Sequence, residues 1–287
     1  MQSTVDCIPC YIKQAISALR TAGIEQIKHQ AIINALFPII AKLDTSKTPA
    51  ENSSLVLFEA YRLMGRDDPF LQAKTASNHL ARTFLPALER IISFSQNPLL
   101  TALQTSVAGN VIDMGINPNF DIGESISQGL ERGFKRDDLE SFREYLAKGG
   151  PLVIIGDNSG EIVFDRLLLE KLSRYSAELY YVVKGGAILN DATKEDAEDT
   201  GICLQAKVLT TGNNYLGVVP EICSQELRSV IKSANLVLAK GQANYETLEG
   251  TAFAGVKTFF LLQAKCPLVA AHLGVELGDS VFVRNKH

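Results

Sequence analysis

The sequence lacks several features that mark specialised classes of protein. Its 287 residues include no tryptophan and only 5 cysteines, and no apolar run reaches the roughly 20 residues needed to cross a bilayer. No cluster of lysine and arginine forms the basic stripe typical of nucleic-acid binders, and the formal net charge is -4. We therefore expect no membrane association and no nucleic-acid partner.

The cysteines also argue against a secreted, disulfide-bonded protein. Their number is odd, and disulfide frameworks are typical of much shorter chains. Residues 1–10 contain charge, proline and cysteine where a signal peptide would have an apolar segment. These features predict a cytoplasmic location.

What the sequence does contain is typical of a globular protein, with 46% hydrophobic and 21% charged residues. The length allows one large domain or two modest ones. Up to about residue 148 the apolar residues recur at helical spacing, as at Ile8, Ile12 and Ile16. A helix is predicted to open at Asp68-Pro69, and Pro86 is expected to kink or end it.

The pattern changes at Pro151, where short apolar runs begin to alternate with helical segments. The runs are nearly continuous, as expected for strands buried on both faces of a parallel sheet. They occupy Leu152–Ile155, Leu179–Val183, Lys207–Leu209, Leu236–Ala239, Thr258–Leu262 and Val281–Val283. We predict an α/β fold: an all-helical N-terminal domain (1–148) followed by a Rossmann-like doubly wound sheet (149–287). The residues suited to binding a metal and a phosphate lie in the second domain.

Polar residues follow the first run, at the position where open α/β sheets bind ligands. Residues 156–161 read Gly-Asp-Asn-Ser-Gly-Glu and precede a helical segment. A helix N-terminus favours anions, yet Asp157 and Glu161 would repel a bare phosphate. A divalent cation between them and the phosphate removes that conflict. The oxygen atoms of Asp157 and Asn158 favour a hard cation such as Mg or Mn over zinc.

Two further loops repeat this chemistry. The second run ends at Lys184, which suits a phosphate, and Asn190 and Asp191 follow, the latter as a further oxygen ligand. The third loop supplies a second cation, two amides and an acid: Lys240, Gln242, Asn244 and Glu246. Three loops with matching chemistry in one sheet predict a metal–phosphate site.

Each of these residues also has an ordinary structural interpretation. Asp157 and Asp191 could be helix N-caps, and Lys184 and Lys240 could be solvated strand ends. The lysine at 184 also argues against a dinucleotide or methyl-donor site, because such sites have an acid near the end of the second strand.

The three loops together resemble the DUF89 family, the metal-dependent damage-control phosphatases with an ARMT1-like domain. The resemblance spans nearly the whole chain, and its further segments are Cys7–Cys10, Asp68–Phe70 with Lys74 and Asn78, residues 109–113 and residues 265–267. The Cys-x-x-Cys pair looks like that of the prokaryotic subfamily. One departure is visible at residues 185–187, Gly-Gly-Ala, where relatives often have a proline.

The resemblance implies a divalent cation (Mn, Co, Ni or Mg) held by Asp157, Asn158 and Asp191. It also implies residues around the substrate phosphate: Glu161, Lys184, Asn190, Lys240, Gln242, Asn244 and Glu246. Lys74 and Asn78 share one helical face. We expect that face to close over the phosphate crevice, although a solvated helix surface is the alternative.

These residues predict a metal-dependent phosphatase that hydrolyses phosphomonoesters of small metabolites, such as sugar phosphates, nucleotides or damaged phosphometabolites. Lys184 and the helix N-terminus after Glu161 would stabilise charge in the transition state. Asp157 is either a ligand only or also the nucleophile. The Asp-x-Asp signature of haloacid-dehalogenase phosphatases is missing, because Ser159 takes its second position. The alternatives are a phosphometabolite-binding protein without turnover and a Rossmann-type methyltransferase.

Other candidate residues leave several interpretations open. Cys7 and Cys10 could be half a zinc site, a redox pair or packing thiols, and Cys266 could be a third ligand or a disulfide partner. None of the four histidines pairs at i, i+4, which argues against a histidine-based zinc hydrolase. Asn110 and Asp113 could reach the cleft or merely cap a turn.

Overall fold

The N-terminal half of the chain is built from helices, as its periodicity predicts. The computed structural model describes residues 1–108 and 122–286. Its first helices are α1 (Ile8–Thr21), α2 (Gln26–Ile40), α3 (Pro49–Met64), α4 (Leu71–Phe94), α5 (Pro98–Ala108), α6 (Ile122–Arg132) and α7 (Leu139–Ala147). Local chemistry sets their ends: Thr48 and Glu51 form a capping box at the start of α3.

Pro86 was expected to kink or end its helix, and it does not end it. Helix α4 runs through Pro86 to Phe94. A proline inside a helix removes one backbone hydrogen bond. Leu88 and Ile92 lie beyond it and are buried in the core, and this packing offsets the lost bond.

The strands are β1 (Arg136–Asp137), β2 (Leu152–Ile155), β3 (Leu179–Val183), β4 (Lys207–Thr210), β5 (Leu236–Lys240), β6 (Thr258–Gln263) and β7 (Ser280–Arg284). Within the described residues they form one sheet in the order β1-β7-β6-β5-β2-β3-β4. Strands β2 to β6 run parallel, and β7 is antiparallel to β6. The α/β fold is confirmed; the antiparallel direction of β7, which lies between β6 and the edge strand β1, was not predicted.

The strand order reverses beside β2, which pairs with β3 on one side and with β5 on the other. Ile155, the last residue of β2, lies opposite Val182 and Ala239. The loops that follow these three strands therefore begin at the same edge of the sheet, where open α/β sheets have their ligand crevice.

Helices cover both faces of this sheet. The later ones are α8 (Glu161–Leu172), α9 (Lys194–Thr200), α10 (Gln225–Ser233), α11 (Gln242–Leu248) and α12 (Pro267–Leu273). Successive strand residues face opposite sides. Leu152 and Ile154 pack with α4, α5, α7 and α8 on one face, and Val153 and Ile155 pack with α10, α11 and α12 on the other.

The N-terminal helices contribute to two different cores. Helices α1, α2 and α3 form a separate apolar cluster that includes Ile188 and Leu216 from the sheet loops. Helices α4, α5 and α7 instead belong to the core of the sheet. In addition, β1 lies within the part predicted to be all-helical and pairs with β7. The division of the chain into two domains at residue 148 therefore stays a prediction.

Among the helices of residues 1–108 and 122–286, none is both long and apolar enough to cross a bilayer.

Candidate active site

The three predicted metal ligands are held side by side by two loops that bind each other through backbone hydrogen bonds. Ala192 N donates to Asp157 O at 2.9 Å, and Ser159 N donates to Asn190 O at 2.8 Å. Asn158 and Asp191 form an isolated antiparallel bridge between these contacts. The loops after β2 and β3 thus bring Asp157, Asn158 and Asp191 together at the edge of the sheet.

The third loop reaches the same place through Gly241. This residue has φ +83°, and a Cβ atom there would lie 2.1 Å from Cγ of Asp157. Only glycine leaves room for the carboxylate at this point and also adopts this backbone conformation readily. The Asp157 carboxylate therefore lies against the turn that follows β5.

The chemistry of these side chains fits a hard divalent cation. Two carboxylates and one amide oxygen come from Asp157, Asp191 and Asn158, and Asn158 Nδ2 donates to Asp157 Oδ2 at 3.2 Å. That contact turns the amide nitrogen toward the carboxylate, so the oxygen is the atom suited to a cation. Over residues 1–108 and 122–286, no group of three or more His, Cys, Asp or Glu side chains is placed to hold a metal ion; the candidate set has two such side chains, Asp157 and Asp191, with the Asn158 amide as the third ligand.

A cavity of about 710 Å³ opens over these ligands. Six of the predicted site residues line it: Asp157, Asn158, Asn190, Asp191, Gln242 and Glu246. Its opposite wall comes from the start of the chain and from α3, with Asp6, Tyr11, Gln14 and Ser53. The cavity thus lies between the sheet edge and the α1–α3 cluster.

Lys184 lies beside the predicted ligands but does not line this cavity. Its Nζ donates to Gly217 O at 2.6 Å and lies 3.5 Å from Asp191 Oδ2. Burial lowers the pKa of Lys184, against the opposing effects of Asp191 and Asp157. Lys184 faces an adjoining cavity of about 580 Å³, which Lys74 and Asn78 also line.

Glu161 and Lys240 lie in the core beneath the first loop, so their place around the substrate stays a prediction. Lys240 Nζ contacts Glu161 Oε1 and lies 2.6 Å from Asp165 Oδ1, and neither Glu161 nor Lys240 lines the 710 Å³ cavity. The physical reason is strand alternation. Lys240 shares a face of β5 with Leu236 and Leu238, and that face packs against α8.

Burial and the contact between Glu161 and Lys240 shift the pKa values of both side chains. Burial raises the pKa of Glu161, against the opposing effect of Lys240. Burial lowers the pKa of Lys240, but Asp165 and Glu161 raise it more, so it lies above its usual value. The lysine is therefore held as a cation inside the protein.

Most N–H groups at the start of α8 already have acceptors within the protein. Gly160 N donates to Asn78 Oδ1 at 2.6 Å, Ile162 N to Asn158 O and Val163 N to Gly160 O. The expectation that this helix end stabilises a phosphate is therefore weakened. Asn78 Nδ2 donates in turn to Asp196 Oδ1 at 2.8 Å, so Asn78 joins α4 to the first loop and to α9 and does not line the main cavity.

The remaining residues of the third loop support its shape. Asn244 Nδ2 donates to Gly156 O at 3.1 Å and to Lys240 O at 2.6 Å, which holds the first and third loops together. Gln242 Nε2 donates to Glu246 Oε1 at 2.9 Å. Burial raises the pKa of Glu246 to about 7, although the Gln242 hydrogen bond lowers it.

Three thiols also line the main cavity: Cys7, Cys10 and Cys266. All are free cysteines, so the described structure contains no disulfide between them. The wall formed by Asp6, Tyr11 and Gln14 was not predicted to belong to the site. Positions 7, 10, 11 and 14 share one helical face, and that spacing could have indicated it. Asn110 and Asp113 lie outside the described residues.

Comparison with known proteins places this geometry in a family. Residues 3–281 match the damage-control phosphatase ARMT1-like domain. The chain belongs to the ARMT1-like (DUF89) family. One ARMT1-like relative, a damage-control phosphatase of Pyrococcus horikoshii, is 33% identical over 100% of this chain and 99% of its own length. An Archaeoglobus fulgidus damage-control phosphatase is 36% identical over 77% of each chain.

The fold of this chain also matches a solved structure of the ARMT1-like family. The crystal structure of a DUF89 family protein from Pyrococcus horikoshii superposes with a TM-score of 0.90 at 32% identity, covering 100% of both chains. The resemblance stated from the sequence is confirmed at the level of the family. The finer assignment to a Cys-x-x-Cys subfamily stays a prediction.

Proposed function

We propose that the protein is a divalent-metal-dependent phosphatase that hydrolyses phosphomonoesters of small metabolites. The observation that carries this proposal is the grouping of Asp157, Asn158 and Asp191 at the edge of one cavity. The names of its relatives, damage-control phosphatases from Pyrococcus horikoshii and Archaeoglobus fulgidus, support the reaction class. A metal-binding protein of another class would not need a cavity of this size beside the ligands.

The side chains have distinct roles in the proposed reaction. Asp157, Asn158 and Asp191 would hold the cation, which when bound polarises the phosphoryl oxygens and lowers the pKa of a water molecule. Lys184, next to Asp191, would contribute positive charge where the phosphoryl oxygens become more negative. Asp157 either ligates only or also attacks phosphorus as a nucleophile.

The charge of the cavity favours a substrate with a single phosphate. Four acids line it, Asp6, Asp157, Asp191 and Glu246, against one base, Lys265. Those acids would repel additional phosphate groups that no cation shields. We therefore propose that the substrate is a small hydroxylated monophosphate, such as a sugar phosphate, and not a nucleotide polyphosphate. We also propose that the protein acts in the cytoplasm.

The proposal predicts that activity requires both the cation and its ligands. Hydrolysis of p-nitrophenyl phosphate should depend on Mn or Co and stop when EDTA is added. Asp157→Asn and Asp191→Asn should each lower kcat/KM at least about 100-fold, since even the partners behind metal ligands are worth 10- to 100-fold. Asp44→Asn, at an exposed acid in the turn before α3, is the matched control and should retain wild-type activity.

The same assay separates the alternative functions. Full, chelator-insensitive activity in Asp157→Asn and Asp191→Asn would overturn the metal assignment. Metal-dependent turnover by the wild-type protein would exclude a binding protein without turnover. Thermal stabilisation by S-adenosylmethionine in a protein without turnover would instead favour the methyltransferase.

A further inference from the structure

The carboxylate of Asp165 lies in the core below the candidate site and accepts hydrogen bonds from three different elements. Its Oδ1 accepts from Ser106 Oγ at 2.6 Å and from Lys240 Nζ at 2.6 Å. Its Oδ2 accepts from the Tyr181 hydroxyl at 2.6 Å. Asp165 is fully buried, at 0% exposure. A buried carboxylate that accepts this many hydrogen bonds is held in one position.

These contacts tie the parts of the fold that surround the first loop. Asp165 belongs to α8, Lys240 ends β5, Tyr181 belongs to β3 and Ser106 belongs to α5. Lys240 also contacts Glu161, the first residue of α8. Removing one partner from such a buried network leaves the others without compensation, so Asp165 controls where Lys240 and Tyr181 lie.

Tyr181 touches the loop that carries Asp157, and Lys240 is joined to it through the next residue, Gly241. The Tyr181 hydroxyl lies directly against Gly156, because a Cβ atom there would be 2.6 Å from it. Lys240 precedes Gly241, whose backbone lies against the Asp157 carboxylate. One face of the loop therefore rests on Tyr181, and its carboxylate rests on the turn that Lys240 begins.

We infer that Asp165 is a positioning residue for Asp157, acting through Tyr181 and Lys240 to fix the carboxylate where a cation would bind. This inference rests on the proposed function, because it concerns the same predicted cation. Asp165 itself does not line the cavity, so it would act without touching metal or substrate. Moving the Asp157 carboxylate away from this position should weaken the binding of the cation.

The experiment measures Mn²⁺ binding directly, by electron paramagnetic resonance of the free ion, together with thermal unfolding. Asp165→Asn keeps the size of the side chain and removes its charge, and it should raise the Kd for Mn²⁺ about tenfold or more. Tyr181→Phe removes a single hydroxyl and should raise the Kd in the same direction. Thr258→Val is the matched control, because it removes one buried hydrogen bond, to Ala254 O, at the start of β6 and away from the cavity; its Kd should stay within about twofold.

The outcomes separate this inference from the proposed function. If the wild-type protein binds Mn²⁺ and Asp165→Asn and Tyr181→Phe bind it equally well, while only their melting temperatures fall, Asp165 is merely structural and the inference is overturned. If Asp165→Asn does not fold, Tyr181→Phe decides the question alone. Failure of the wild-type protein to bind Mn²⁺ overturns both the inference and the proposed function.

Discussion

At the scale of single residues, Glu246 is an acid that lines the main cavity and has a raised pKa. Its side chain is buried, and burial raises its pKa from 4.5 to about 7. The folded protein therefore binds a proton at Glu246 more tightly than the unfolded chain does. The resulting stabilisation is fully present below pH 4.5 and is lost as the pH rises through about 7.

We predict that Glu246→Gln stabilises the protein at high pH, because the amide does not have to carry a buried charge. The shift in pKa corresponds to a gain of at most about 3 kcal/mol in the free energy of unfolding at pH 8, falling to nearly zero at pH 4.5. Urea denaturation at both pH values measures it. Glu89→Gln, on the exposed side of α4, should show no such difference. Destabilisation of Glu246→Gln at pH 8 would contradict the prediction.

Cys10 allows a second test at the residue scale. Its thiol lines the main cavity, and its pKa is raised by burial and then by Cys266, Glu246 and Cys7. Alkylation by iodoacetamide should therefore be slow at pH 7, faster at pH 9, and should inhibit the phosphatase by filling the cavity. Cys10→Ser should resist this inactivation. Cys203→Ser, at a thiol that is exposed like that of Cys10 but lies outside the cavity, should not; equal protection by both variants would contradict the prediction.

At the scale of elements, the turn after β5 determines where the Asp157 carboxylate can lie. Gly241 combines a positive φ with a contact that leaves no room for a side chain. The site therefore depends on one glycine of the third loop as directly as on the ligands themselves.

We predict that Gly241→Ala lowers phosphatase activity at least about 10-fold, because the new methyl group displaces Asp157. The backbone at Gly241, with φ +83° and ψ 162°, lies in a region that is essentially restricted to glycine, and this adds a destabilisation of about 1–3 kcal/mol. Gly274→Ala is the control for a side chain at a positive φ, since Gly274 has φ +69° and nothing within 4 Å of an added Cβ. It should lose about 1–2 kcal/mol of stability and keep its activity, as measured by kcat/KM and thermal unfolding. Equal activity losses in the two variants would show that backbone strain alone is responsible.

At the scale of the whole molecule, the two halves of the sequence share one core. Helices α4, α5 and α7 cover the face of the sheet that carries Leu152, Ile154 and Phe259. The main cavity also needs both halves, because α1 and α3 form one wall and the sheet loops form the other.

We predict that the fragment 149–287 does not fold alone, because it would expose that apolar face to water. It should bind the dye ANS and unfold without a cooperative transition, whereas the full chain should unfold cooperatively. Circular dichroism during thermal unfolding, with the full chain as the reference, measures this. A cooperative transition in the fragment would show that residue 148 is a true domain boundary.

The strands were predicted from the sequence more accurately than the helix ends. The bounds of β2 and β3, Leu152–Ile155 and Leu179–Val183, match the predicted runs, because strands buried on both faces are apolar throughout. The helix predicted to open at Asp68-Pro69 begins only at Leu71, because Asp68 Oδ1 accepts from Phe70 N in a turn before the helix.

The sequence by itself determined the chemistry of the three loops and the edge of the sheet where they meet, because strand periodicity and loop composition are local properties. Only the tertiary structure decided which side chains face the cavity. Lys240 and Glu161 turn inward because Asp165, Tyr181 and Ser106 hold the buried charges there. Asp6 and Cys10 reach the site because the start of the chain lies beside the sheet loops, which are far away from it in the sequence. Such contacts depend on distant parts of the chain meeting in space, and a pattern along the sequence does not contain them.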